Sequence, residues 1–221
     1  MSVPQTAAIL VGLVALGGCG RGNAVSPPAV VLEGDLEPLQ SALTYHTPEY
    51  HGRLRQVLMK KAPDHSVLQF LVMPSFAPET LLSLHRVGQG YEVVVISPKE
   101  QIWYSKVSVG EIECIEARKS FPSATAEQMC VVWKKMLLRT RYTEAGPTTL
   151  DGVAYAFLLS EQGLGDWGGR SSNPRPGTRP DVLAQIGEDV IAYVRADTAS
   201  EQALLTKVGS ALAQLEASLA R

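Results

Sequence analysis

The sequence predicts an α+β domain: a mainly antiparallel sheet with helices packed on one face, and two helices closing the chain. Three observations predict it. Short apolar and β-branched runs bracketed by proline or glycine fill residues 66–117. Apolar residues then recur at three- and four-residue spacing from about Ser123. The same spacing returns twice after Pro180. The order of strands, helix, strand and helices suggests a mainly antiparallel sheet with helices on one side. A chain of 221 residues, 45% hydrophobic and 19% charged, suits one globular body.

Leu36 to Leu58 is ambiguous, because partial helical spacing (Leu39, Leu43, Leu54, Leu58) breaks at Pro48; two short helices or a strand and a loop both fit. Ser66 to Met73, between Pro63 and Pro74, reads as a buried strand. Leu81–Val87 and Tyr91–Ile96, joined by Gly88-Gln89-Gly90, read as a hairpin whose glycines supply positive φ. Gln101 to Ser105, with Ile102-Trp103-Tyr104, reads as a further strand. Val107 to Ala117 continues the sheet, with Ile112 and Cys114 on one face and Glu111 and Glu113 on the other.

Ser123 or Thr125 can cap a helix running to about Tyr142, striped by Met129, Trp133, Met136 and Leu137. Gly146 to Asp151 is a turn, and Gly152 to Ser160 a strand. Gly163 to Arg179 reads as a long Gly/Pro/Arg loop. Pro180 suits a first helical position ahead of Val182, Leu183, Ile186, Val190, Ile191 and Val194. The last helix runs from about Ser200, with Leu204, Val208, Leu212, Leu215 and Leu219 on one face. No internal repeat is visible.

The N-terminus carries an address. The apolar run Ala7 to Leu16 is too short for a bilayer span of about 20 residues but has the length of a signal-peptide core. It ends in Leu16-Gly17-Gly18-Cys19. In this respect the chain resembles bacterial lipoproteins, whose signal places a Leu three residues before an invariant Cys with small residues between. The resemblance implies that Cys19 is alkylated by a diacylglyceryl group, becomes the first residue after cleavage, and is then acylated. Palmitate or a similar acyl chain would anchor it, each buried methylene contributing about 0.8 kcal/mol. Residue 20 is Gly rather than Asp, which in Gram-negative members implies the outer membrane, facing the periplasm. Met1 to Thr6 departs from the pattern in lacking Lys or Arg. The expected organisation is a signal peptide at 1–18, a flexible tether at 19–33 and a single domain at 34–221. The later chain resembles small, uncharacterised proteobacterial lipoproteins in its Leu150-Asp151-Gly152 turn ahead of an aromatic strand, a likeness that implies no activity.

With Cys19 assigned to lipid, Cys114 and Cys130 remain. In an oxidising periplasm they can close a disulfide, a stabilisation of about 3 kcal/mol on the chain-entropy model. Two reduced, buried thiols are the other reading. No metal site is expected, because the cysteines lack C-x-x-C spacing and nearby histidines.

Chemical motifs are sparse. Gly163-Leu164-Gly165-Asp166-Trp167-Gly168 matches G-x-G-x-x-G, but Gly169-Arg170-Ser171-Ser172-Asn173-Pro174 cannot begin the helix a pyrophosphate needs, so no dinucleotide or other cofactor is expected. His46, His51, His65 and His85 show no i, i+4 pair; His46, Glu49 and His51 are better read as a polar loop, and His85 as facing solvent. Glu111, Glu113 and Glu116 are near one another but mark the wet side of a strand. A net charge of -2 gives no general basis for binding nucleic acid.

The remaining candidate is the expected loop holding Trp167, Arg170, Arg175 and Arg179, residue types favoured as interface anchors. These readings point to a membrane-tethered, non-catalytic module that binds an envelope protein or a secreted toxin, as an immunity or accessory factor. A cell-wall or lipid hydrolase is the alternative.

Overall fold

The computed structural model describes residues 31–39, 48–142, 151–161, 163 and 165–220. Cys19, His46 and the Gly146–Leu150 part of the expected turn lie outside them. An antiparallel sheet organises the chain, as the sequence predicts, and it has seven strands. Its strands are β1 (Glu37–Pro38), β2 (Ser66–Pro74), β3 (Thr80–Val87), β4 (Gly90–Pro98), β5 (Cys114–Phe121), β6 (Val153–Glu161) and β7 (Gly165–Ser172). They lie side by side in the order β1-β7-β6-β2-β3-β4-β5.

Side-chain alternation divides the interior into two cores. Phe70, Leu82, Leu84, Val93, Val95 and Phe157 point to one face. Helices α2 (Ser123–Leu137), α3 (Arg179–Arg195) and α4 (Thr198–Leu219) cover it. Leu71, Leu81, Val94 and Ile96 point to the other, where the short helix α1 (Pro48–Val57) contributes Tyr50, Leu54 and Val57. Three helices therefore share one face as expected, and α1, in the last part of the ambiguous N-terminal segment, covers part of the second; residues 40–47 of that segment lie outside the described residues.

The helix-side core centres on aromatic rings. Phe70 stacks on Tyr155 at 5.7 Å and meets Trp133 edge-on at 6.4 Å. The α3 backbone comes so close at Gly187 that an added Cβ would lie 2.4 Å from the Phe70 ring. Polar groups fasten the helix ends. Asp197 accepts from the Ser200 amide at 3.1 Å, an N-cap for α4. Lys119 donates to the carbonyls of Tyr193 and Ala196 and pairs with Glu201, placing a cation at the negative end of α3.

Several expectations are corrected. Helix α2 ends at Leu137, short of Tyr142. Gln101 to Ser105 is not a strand but part of a folded connection, and the strand expected at Val107 begins only at Cys114. Gly163 to Arg179 is not a single loop, because Gly165–Ser172 forms β7. Its glycines are needed for contact: a Cβ at Gly168 would lie 2.9 Å from Leu39, and one at Gly169 3.0 Å from Leu36 and Leu137.

The expected Cys114–Cys130 disulfide is absent, and both cysteines are free. Cys114 packs in the α1-side core and Cys130 against the helix-side core, so the sheet stands between them. Burial raises the Cys130 thiol to about 11, partly offset by Arg86, which makes it a poor nucleophile at neutral pH.

Candidate functional site

The four residues expected to grip a partner do not form one surface. Arg170 on β7 is buried and pairs with Glu37 at 3.0 Å, which fastens β1 to the sheet edge. Arg179, at the start of α3, is buried and donates to Ser218. With Arg139, which donates to the Leu219 carbonyl at 3.0 Å, it places positive charge at the C-terminal end of α4. Trp167 is half-buried against the helix-side core. Arg175 alone is exposed, on the connection into α3.

Arg139, Arg141 and Arg179 do line an open depression of about 210 Å³ with Glu33, Gly34 and Asp35. Arg141 pairs there with Asp35. Its arginines are thus largely engaged by the protein's own carboxylate and helix carbonyls.

The other histidine and carboxylate candidates are tied into the fold in different ways. His85 is buried rather than solvent-facing, because its place on β3 aims it to the α1 side with Leu81 and Ser83. Its Nε2 lies 3.3 Å from Glu92, and its Nδ1 is buried without a hydrogen-bond partner among the described residues. Ser66 sits opposite it in the β2–β3 register, and the Ser66 and Ser83 hydroxyls are 2.6 Å apart. Glu113 pairs with Lys99, and Glu116 with Arg118. Both Ser108 groups, hydroxyl and amide, donate to Glu111, holding its carboxyl below the usual range. No three His, Cys, Asp or Glu among the described residues converge as metal ligands.

A different surface stands out, at the end of the sheet where β2, β4 and β7 finish. Ten large apolar side chains among the described residues are conspicuously exposed. Four of them, Phe76, Trp103, Tyr104 and Val107, lie on connections between strands at this end, and Ile115, opposite Ser97 near the start of β5, lies beside them. Val87 marks the opposite end, in the β3–β4 hairpin. Phe76 belongs to the β2–β3 connection, while Trp103, Tyr104 and Val107 belong to the β4–β5 connection.

These two connections are held firmly. Gln101 donates to the Pro74 and Ser75 carbonyls, joining one to the other. Glu79, fully buried, accepts from the Tyr50 hydroxyl at 2.7 Å and the Ile102 amide at 2.8 Å. Tyr50 meets Trp103 edge-on at 4.7 Å. Arg53 donates to the Ser105 and Val107 carbonyls. Burial first, then the Glu79 charge and hydrogen bond, hold the Tyr50 phenol well above its ordinary range.

Sequence reasoning missed this pole because Ile102-Trp103-Tyr104 has strand composition. The one available signal was Glu79, an acidic residue wedged between Pro78 and a strand, whose partners are distant in sequence. The chain enters the fold on the β1 edge of the sheet, from the side of this end. Leu32 forms a bridge with Thr178, and β1 then runs away from the pole beside β7.

No protein-family model, no curated protein and no solved structure matches this chain. No helix among the described residues is long and apolar enough to cross a membrane.

Proposed function

We propose that the chain is a lipid-anchored protein of the bacterial envelope, held through Cys19 on the periplasmic side of the outer membrane. It acts there as a non-catalytic binding module for another envelope protein or a secreted toxin. The observation that carries this reading is Leu16-Gly17-Gly18-Cys19, followed by a short polar stretch and then the folded body. Three buried charged groups also support it, because they fasten the fold. Glu79 holds Tyr50 and Ile102, Arg170 holds Glu37, and Arg179 holds the end of α4.

Growth with labelled palmitate tests the anchor. The native chain is expected to incorporate label and sediment with membranes, and Cys19→Ser to incorporate none. A native chain free of label would refute the reading.

One observation favours hydrolysis of cell wall or lipid instead. His85 has a carboxylate on one nitrogen, and its other nitrogen is buried without a partner among the described residues, on the same face as Ser83. That reading requires an envelope-degrading activity that His85→Ala abolishes in a chain that remains folded.

A further inference from the structure

We infer that the aromatic pole seats on the lipid bilayer itself, with Phe76, Trp103, Tyr104 and Val107 at headgroup depth. This rests on the lipid-anchor reading and adds an orientation to it. The first observation is where the undescribed N-terminal chain ends. It joins the body at Val31 and Leu32, and Leu32 bridges to Thr178, six residues after β7 finishes at this end of the sheet, on its β1 edge. Cys19 is about a dozen residues earlier, a reach of at most about 40 Å. An inverted body would have to spend most of that reach passing back along the sheet, whose nine-residue strands are about 30 Å long.

The second observation is the chemistry of the pole. Phe76 is 75% exposed, Tyr104 62%, and Trp103 and Val107 40% each. Trp and Tyr favour the membrane–water interface because an apolar ring carries a polar tip. The charges on the same connection nearly cancel: Lys99 and Lys106 against Glu100, Glu111 and Glu113, with Lys99 paired to Glu113. The seat is therefore apolar in character and does not depend on anionic lipid.

The third observation is stiffness. Glu79, Gln101 and Arg53 fix the backbone that carries these rings, so little conformational freedom is lost on contact. Seating this pole leaves the hairpin turn at Gly88 and the Asp64–His65 turn, both at the opposite end of the sheet, facing the aqueous side. Those are the surfaces open to a protein partner.

The test uses the purified full chain in phosphatidylcholine vesicles with brominated acyl chains, compared with the unbrominated lipid. Trp103 emission should be quenched by the bromines, and Trp103→Phe should remove at least three quarters of that quenching. Trp133 and Trp167 lie in the protein interior or half-buried against it, and contribute little. A tryptophan placed in the exposed far turn by Gln89→Trp should add emission that is not quenched.

Flotation and intact mass of the same sample read the anchor separately. An acylated chain that floats but shows no bromine-dependent loss overturns the seat while the anchor stands, and assigns the rings to a protein partner. Equal quenching in Trp103→Phe also overturns it. A chain that carries no acyl group and does not float overturns both readings.

Discussion

Replacing Glu79 by alanine is expected to destabilise the fold by about 3 to 5 kcal/mol and to release the aromatic pole. The carboxylate is fully buried and is the acceptor for two buried donors, the Tyr50 hydroxyl and the Ile102 amide. Hydrogen bonds to a charged group contribute about 1.5 to 3 kcal/mol each, and a donor stranded in the interior carries its full desolvation penalty. Glu79→Gln, which keeps an acceptor, should lose less. Denaturant midpoints give the energies, and hydrogen exchange at the Ile102 amide shows whether the connection has opened. A stable Glu79→Ala variant with a protected Ile102 amide would show that Glu79 does not hold the pole.

The same pair gives a pH signature. Tyr50 stays protonated in the fold well above its ordinary range, whereas in the unfolded chain it ionises near pH 10. Its contribution is therefore complete below about pH 10 and lost as pH rises beyond it, by about 1.4 kcal/mol per unit. Tyr50→Phe should flatten that part of the alkaline decline.

Gly187→Ala is the second large effect, and its sign is opposite to the usual one. In a helix interior, alanine normally stabilises relative to glycine by about 1 kcal/mol. At Gly187 the new methyl would fall 2.4 Å from two atoms of the Phe70 ring. That ring is wholly buried, stacked on Tyr155 and packed against Phe157, so it has nowhere to go. Overpacking of this kind costs about 1 to 3 kcal/mol, and Gly187→Leu should prevent folding. Gly209 in α4 is an internal control: nothing lies within 4 Å of a Cβ there, so Gly209→Ala should raise the unfolding midpoint. Finding that both alanines stabilise would mean that α3 does not approach the sheet as described.

What could be read in the sequence was what local chemistry determines. The closing helices were legible because Pro180 fits a first turn, and because Leu183, Ile186, Val190, Val208, Leu212, Leu215 and Leu219 keep helical spacing. The β3–β4 hairpin was legible from its glycines, and Gly88 does adopt positive φ.

What failed depended on partners far along the chain. Gly165–Ser172 has no apolar alternation, yet it is a strand because its bare backbone lets Leu36 and Leu39 pack closely. Ile102-Trp103-Tyr104 has strand chemistry but is drawn into a connection by Glu79 and Gln101. Cys114 and Cys130 looked available for pairing until the fold set them on opposite sides of the sheet. Of the expected contact residues, Arg170 and Arg179 are consumed by Glu37 and Ser218, whereas the exposed rings sit in a segment read as sheet.

Intact mass of the chain purified from its own envelope tests the anchor at Cys19 most directly. The predicted species begins at Cys19 and is heavier than its polypeptide by a diacylglyceryl group and one further acyl chain. A species that keeps Met1 and carries no fatty adduct would contradict it.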